Sequence, residues 1–194
     1  MADKTWFDYF VSGVALLTGA YTIYKNFVQR AKVSIVPGDR MAIVRGPGGA
    51  RRIHLRCVLL NDAVKLGTLQ RLEAKITSPD ATVQTYLWNE IFEFVPGTTS
   101  VRPSGTPQPI PIPSKNSQPL LAQLELTEPN TAANWAAGRH RVEVLGWVNR
   151  KNRLKPANAK SVFHINIPRD LALALPMDQP EYRFAEIEIE EWSA

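Results

Sequence analysis

Hydrophobic and polar residues follow two different patterns along this chain, and the pattern changes near residue 31. Residues 9–24 form an uninterrupted stretch of sixteen residues without a charged side chain. From Lys32 onward, apolar and polar residues alternate in short runs separated by turn residues, which is typical of half-buried β-strands. The sequence therefore predicts an apolar helix within residues 1–31 and a β-rich domain over residues 32–194.

The apolar segment has the features of a single transmembrane helix. At about 1.5 Å per residue it is roughly 24 Å long, and apolar neighbours on both sides extend it toward the roughly 30 Å of a bilayer core. Aromatic residues gather at both ends, where their rings would lie at the two membrane interfaces. The residues assigned to this predicted membrane anchor are Trp6, Tyr9, Leu16, Leu17, Tyr21, Tyr24 and Lys25.

Three other interpretations of this segment stay open. A cleavable signal peptide would need a basic start and a small-residue cleavage site, and the sequence has neither. A buried helix of the domain would leave the flanking cations and the two aromatic belts unexplained. A helix lying in the membrane plane would need a polar face, which residues 9–24 lack.

The charges beside the segment predict its orientation. Lys25, Arg30, Lys32 and Arg40 follow the apolar stretch, and cationic flanks tend to remain on the cytoplasmic side. We therefore expect a single-pass protein of the cell (inner) membrane, with the C-terminal domain in the cytoplasm.

Residues 32–194 contain no alternating β-α units, which leaves an antiparallel sandwich or barrel. Fifteen prolines and eleven glycines fit a chain of short strands and turns. Residues 37–39 are predicted to form a turn, and residues 89–90 a bulge or break. A Pro-rich insertion over residues 96–119 is expected to run over the surface, because proline cannot donate a regular ladder of hydrogen bonds. The predicted strands are 32–36, 41–45, 52–60, 69–77, 83–95, 120–126, 142–148, 162–167 and 182–190, and a short helix is predicted over 130–137.

Residues 137–144 resemble the corner that leads into the sixth strand of immunoglobulin-like domains. In those domains a glycine is followed two residues later by tyrosine, and two further on by an inward cysteine or aliphatic residue. Gly138, His140 and Val142 occupy those positions here. The resemblance implies an antiparallel immunoglobulin-like sandwich without a disulfide, preceded by the transmembrane helix, and it implies nothing catalytic.

Sequence signatures of catalysis and metal binding are missing. His54 and His164 lie on predicted strands and His140 lies directly before one, and none of them has a second ligand at zinc-binding spacing. The sequence has no nucleophile-elbow, zinc-protease or phosphate-loop motif. The single cysteine, Cys57, has the inward parity of a core residue and fits a reducing compartment. We expect no enzyme activity, no metal and no cofactor, and the open alternative is a hydrolase whose site only the fold assembles.

The net charge of +5 is unevenly distributed. The basic loop 150–155 is a candidate contact for anionic lipid head groups, whereas the glutamates near the C-terminus can neutralise cations across a sheet. We expect a non-catalytic protein-binding, accessory or scaffold subunit at the membrane, with lipid and a protein partner or second copy as partners, bound through the helix or the sheet edges. The alternative is a nucleic-acid or nucleotide sensor that uses the same loop. The cations of this loop are Arg150, Lys151, Arg153 and Lys155.

Overall fold

The computed structural model describes residues 6–24, 31–46, 49–94, 101–128, 133, 135–149, 155–175 and 183–193. Within these ranges the chain forms two helices and ten strands. The helices are α1 (Trp6–Ile23) and α2 (Arg169–Ala174). The strands are β1 (Val33–Gly46), β2 (Gly49–Asn61), β3 (Gly67–Thr77), β4 (Val83–Phe94), β5 (Val101–Gly105), β6 (Ile110–Ile112), β7 (Asn116–Leu126), β8 (Gly138–Val148), β9 (Ala159–Ile167) and β10 (Arg183–Ser193).

Eight of these strands close into an antiparallel barrel. Their hydrogen-bonded order is β4, β7, β2, β1, β10, β9, β8 and β3, and β3 pairs back with β4. The two remaining strands are additions to the ring, since β5 pairs with β4 and β6 pairs with β3. The prediction of an immunoglobulin-like sandwich is therefore wrong, because a sandwich consists of two packed sheets, whereas a single sheet here closes on itself.

Closure depends on the ladder between β3 and β4, which runs from Glu73 opposite Leu87 to Thr77 opposite Val83. β3 pairs with β8 along its other edge, so this strand joins the two ends of the sheet. A ring of this kind leaves no open strand edge along the paired length. The part of β4 beyond the ladder pairs with β5 instead, and the N-terminal end of β3 pairs with β6.

Alternate residues of the barrel strands fill its interior. Gly146 lies on the inward parity of β8, between positions occupied by larger apolar residues. A Cβ atom built at Gly146 would lie 3.0 Å from Cδ1 of Ile35 and 3.3 Å from Cδ1 of Leu69, so these side chains already occupy the space. The largest fully buried side chains are those of Tyr86, Phe163, Ile35, Met41, Ile43, Ile53, Leu55, Leu59, Leu69, Leu72, Ile76 and Ile112.

Register shifts interrupt several of the strand pairings, and two of them fall where the sequence predicts a turn or a break. The predicted turn at residues 37–39 lies inside one continuous strand, because β1 pairs with β2 both before and after it. Pro37 pairs with Cys57 and Met41 pairs with Leu55, so three residues of β1 lie opposite Arg56 alone. The irregularity predicted at residues 89–90 is confirmed as a register shift between Trp88 and Glu90.

No helix in the described part of the chain has the length and hydropathy needed to cross a membrane. The predicted transmembrane anchor is therefore wrong for α1. Its 18 residues span about 27 Å, and the sequence includes Asp8 together with several glycine and hydroxyl residues, which lower its hydropathy. Lys25 lies outside the described residues. The other predicted anchor residues, Trp6, Tyr9, Leu16, Leu17, Tyr21 and Tyr24, are all exposed.

Two further segments differ from the sequence prediction. The described residues of the segment 130–137 are not helical, although Trp135 within it is buried. Its indole Nε1 donates a hydrogen bond of 2.8 Å to the carbonyl oxygen of Ala50, which ties this connection to β2. The Pro-rich insertion 96–119 contains β5, β6 and the start of β7, so part of it joins the sheet.

Candidate functional site

A pocket of about 400 Å³ lies on the outer face of the barrel, where β1, β2 and β10 run side by side. Ala42 on β1 pairs with His54 on one side and with Glu186 on the other. Because the methyl group of Ala42 is short, it leaves a hollow between the two longer side chains. The residues that line the pocket are Arg40, Met41, Ala42, His54, Arg56, Val101, Leu121, Phe184 and Glu186.

The floor of the pocket includes a histidine that the alternation pattern predicts to face solvent. His54 has the same parity as Arg52 and Arg56, yet only 5% of its surface is exposed. The ring centroids of Phe92 on β4 and Phe184 on β10 lie 4.5 and 5.2 Å from that of His54. These two aromatic side chains cover an imidazole that would otherwise be exposed.

Hydrogen bonds fix which nitrogen of His54 carries the proton. The side-chain amide nitrogen of Gln123 is 3.2 Å from a carboxylate oxygen of Glu90, which only accepts hydrogen bonds. The amide oxygen of Gln123 therefore faces His54, at 2.9 Å from Nε2. Nε2 must be the donor in this pair, so in the neutral ring Nδ1 carries the lone pair.

Burial lowers the pKa of His54, and the nearby charges of Arg56 and Arg52 lower it further. The hydrogen bond with Gln123 opposes this shift in part. The imidazole is therefore neutral at pH 7. Nδ1 is therefore the acceptor nitrogen of a histidine that lines the pocket.

Two guanidinium groups share one carboxylate at the mouth of the pocket. Nη1 of Arg40 lies 2.9 Å from Oε2 of Glu186, and Nη2 of Arg56 lies 3.9 Å from Oε1 of the same carboxylate. The hydrogen bond with Glu186 raises the pKa of Arg40, with smaller contributions from Asp39 and Glu188. The charged groups that line the pocket are thus two cations and one anion. Their side chains are each nearly half exposed, so water and salt screen these pairs.

The pocket and the basic loop of the sequence analysis are different places. Arg150, Lys151 and Arg153 lie outside the described residues. Lys155 is described and exposed, and its carbonyl oxygen accepts a 2.7 Å hydrogen bond from Nε1 of Trp147. Contact of this loop with lipid or nucleic acid therefore stays a prediction, as does the location of the protein at the cell membrane.

His140 and Cys57, two further residues considered in the sequence analysis, are buried. Nε2 of His140 is 2.8 Å from the carbonyl oxygen of Ala136, and burial lowers the pKa of this imidazole. Burial raises the pKa of Cys57 to about 12, so its thiol is protonated at pH 7 and serves as a core side chain. No group of three metal-ligating side chains comes together among the residues whose positions are described.

Sequence reasoning missed the residues that make this pocket. Arg40, His54 and Glu186 come from three strands, and nothing in the spacing of these residues along the chain connects them. The register of β1 against β2 and β10 aligns them.

No protein-family model matches the sequence, and no curated protein matches it either. Among solved structures, the chain is similar to Pseudomonas fluorescens alkylpurine DNA glycosylase AlkC bound to DNA containing an abasic site analog, with 14% sequence identity and a TM-score of 0.33. The match covers 74% of this chain and 36% of the glycosylase chain, so this protein spans about a third of that length. A likeness at this TM-score carries no argument about function.

The two buried histidines predict how stability depends on pH. In the unfolded chain an imidazole has a pKa near 6.5, whereas burial lowers the pKa of His54 and His140 in the folded state. Below about pH 6.5 the unfolded chain therefore binds more protons than the folded chain, and the free energy of unfolding should fall. Urea unfolding at pH 7.5, 6.5 and 5.5 measures this. The decrease should be smaller in His54→Gln, and an identical pH dependence in both proteins would contradict the assignment to His54.

Proposed function

We propose that this protein is a non-catalytic binding module, an accessory or scaffold subunit that holds an acidic group of a partner protein in the pocket around His54. One observation carries the proposal: the guanidinium groups of Arg40 and Arg56 converge on a single carboxylate at the mouth of the pocket. A carboxylate from outside can take the place of Glu186, which accepts a charge-assisted hydrogen bond from Arg40 and forms a longer ion pair with Arg56.

The lining of the pocket supports binding rather than catalysis. The described residues that line it include no serine, threonine, cysteine or lysine to act as a covalent nucleophile, and its carboxylate, Glu186, is paired with Arg40. His54 is a weak base because burial lowers its pKa, and its orienting partner is the neutral amide of Gln123 rather than a carboxylate. A neutral imidazole with a fixed tautomer suits recognition of a hydrogen-bond donor.

Titration with a simple carboxylate tests this function. Propionate should bind the intact protein weakly, in the millimolar range, and should shift the NMR resonances of His54 and Phe184 saturably, whereas the neutral propionamide should not. Arg56→Gln should weaken propionate binding about tenfold or more, because a hydrogen bond to a charged group contributes about 1.5–3 kcal/mol and 1.4 kcal/mol corresponds to tenfold.

Arg102→Gln is the matched control, since Arg102 is an exposed arginine paired with Glu93 outside this pocket. The control variant should bind propionate as the unmodified protein does. If propionate causes no saturable shift, or if both variants bind it equally well, the proposed function is wrong.

A further inference from the structure

A second pocket, of about 360 Å³, adjoins the pocket around His54 on the outer face of the barrel. The two pockets share Arg56 and Leu121, which are direct cross-strand neighbours on β2 and β7. Phe92 on β4 pairs with Leu121 from the other side. The residues that line the second pocket are Gly38, Arg56, Cys57, Val58, Phe92, Glu93, Pro119, Leu120 and Leu121.

The second pocket is mainly apolar. Val58, Phe92, Pro119 and Leu121 contribute apolar groups to its lining, and the bulge of β1 brings the backbone of Gly38 to its edge. The carboxylate of Glu93 at the rim is paired with Arg102 at 2.8 Å and is directed to that partner. A space of this size and polarity accepts a leucine or phenylalanine side chain.

The two adjoining pockets together present three groups that can contact a ligand. Arg40 and Arg56 attract an anion, Nδ1 of His54 accepts a hydrogen bond, and the apolar wall beside Leu121 accepts a hydrocarbon group. The C-terminal residue of a polypeptide carries the three complementary groups on one Cα atom: a carboxylate, an amide N–H and a side chain. A fatty acid has no N–H to donate, and an internal aspartate or glutamate has no apolar branch beside its carboxylate.

We propose that the two pockets hold the C-terminal residue of a partner protein, and that this residue has a large apolar side chain. This inference rests on the proposed function and names the acidic group that the function requires. The terminal carboxylate binds Arg40 and Arg56 and displaces Glu186. The N–H of the last residue donates to Nδ1 of His54, and the side chain enters the pocket beside Leu121.

Short acetylated peptides test the inference on the 194-residue chain. Acetyl-Gly-Gly-Leu with a free carboxylate should bind about tenfold more tightly than acetyl-Gly-Gly-Gly, because binding removes the apolar leucine side chain from water. The leucine peptide with an amidated C-terminus should bind at least tenfold more weakly than the free acid. The nitrogen resonance of His54 Nδ1 should shift more with the leucine peptide than with propionate, which has no N–H.

Two variants separate the parts of the site. Val58→Ser alters a half-buried residue in the wall of the second pocket and should abolish the preference for leucine over glycine while propionate binding remains. Val83→Ser, at an exposed valine on β4, is the matched control and should keep the preference. Glu186→Gln removes the carboxylate that competes with the ligand for Arg40 and Arg56. It should tighten the binding of propionate and of both free-acid peptides.

The outcomes distinguish this inference from the proposed function. If propionate binds as expected but the leucine and glycine peptides bind equally well, the inference is overturned and the proposed function remains. If octanoate binds more tightly than the leucine peptide, the ligand is a lipid-like acid and the inference is overturned. If none of these acids binds, both proposals are wrong.

Discussion

Replacement of Trp135 by alanine should lower the free energy of unfolding by about 3–5 kcal/mol, the range observed when a large buried aromatic side chain is removed. Trp135 is buried in a connection that forms no regular secondary structure in its described residues. Its ring centroid lies 6.0 Å from that of Tyr86 and 5.9 Å from that of His140. Together with the hydrogen bond to Ala50, these contacts join the segment before β8 to the barrel.

Two variants show which part of the Trp135 side chain matters. Trp135→Phe keeps an aromatic ring but leaves the carbonyl oxygen of Ala50 without its donor, so it should cost about 1–3 kcal/mol. Trp6→Ala removes a tryptophan that is 77% exposed on α1 and should leave the urea midpoint of the barrel unchanged. A loss below 1 kcal/mol for Trp135→Ala would show that this connection does not contribute to the core.

The second large effect is expected at Gly146. Gly146→Val should destabilise the barrel by about 1–3 kcal/mol, the usual cost of overpacking a filled interior. A new Cβ atom there would meet Cδ1 of Ile35 at 3.0 Å and Cβ of Ala159 at 3.3 Å, before the two additional methyl groups are considered. Urea unfolding monitored by tryptophan fluorescence measures the loss.

A double-mutant cycle tests the stated cause of this loss. Ile35→Val deletes the Cδ1 atom that lies nearest to the new Cβ, so Gly146→Ala should cost less in the Ile35→Val background than in the unmodified protein. Gly13→Ala is the control, because nothing lies within 4 Å of a Cβ built at Gly13 on α1. Equal costs in the two backgrounds would place the source of strain elsewhere.

Alternation along single strands was predictable because it depends on local residue order. The inward parity of Ile53, Leu55 and Leu59 on β2 agrees with their burial, and the polar interruption at residues 89–90 indicated the bulge in β4. Alternation predicts which face of a strand is buried, but it does not predict which strand lies beside it. The sequence pattern therefore could not predict that β3 pairs with both β8 and β4, which closes the ring.

The candidate site was less predictable than the strands. The cations of the basic loop 150–155 are close together in sequence, whereas Arg40, Arg56 and Glu186 lie on three separate strands. His54 was assigned to the exposed face by parity, and the covering rings of Phe92 and Phe184 come from strands far along the chain. The uncharged stretch of residues 9–24 favours a membrane span, but the glycine and hydroxyl residues within it lower its hydropathy.

The pairing of β1 with β10 links the pocket to the order in which the chain folds. The ion pair between Arg40 and Glu186 joins residues 146 positions apart, and contacts of such long range form slowly because the entropy of loop closure must be met first. β10 also supplies Phe184, so the pocket does not exist until this strand has docked. A ligand that binds there adds its binding energy only to the completed ring, and saturating ligand should therefore slow unfolding by holding β10 in place.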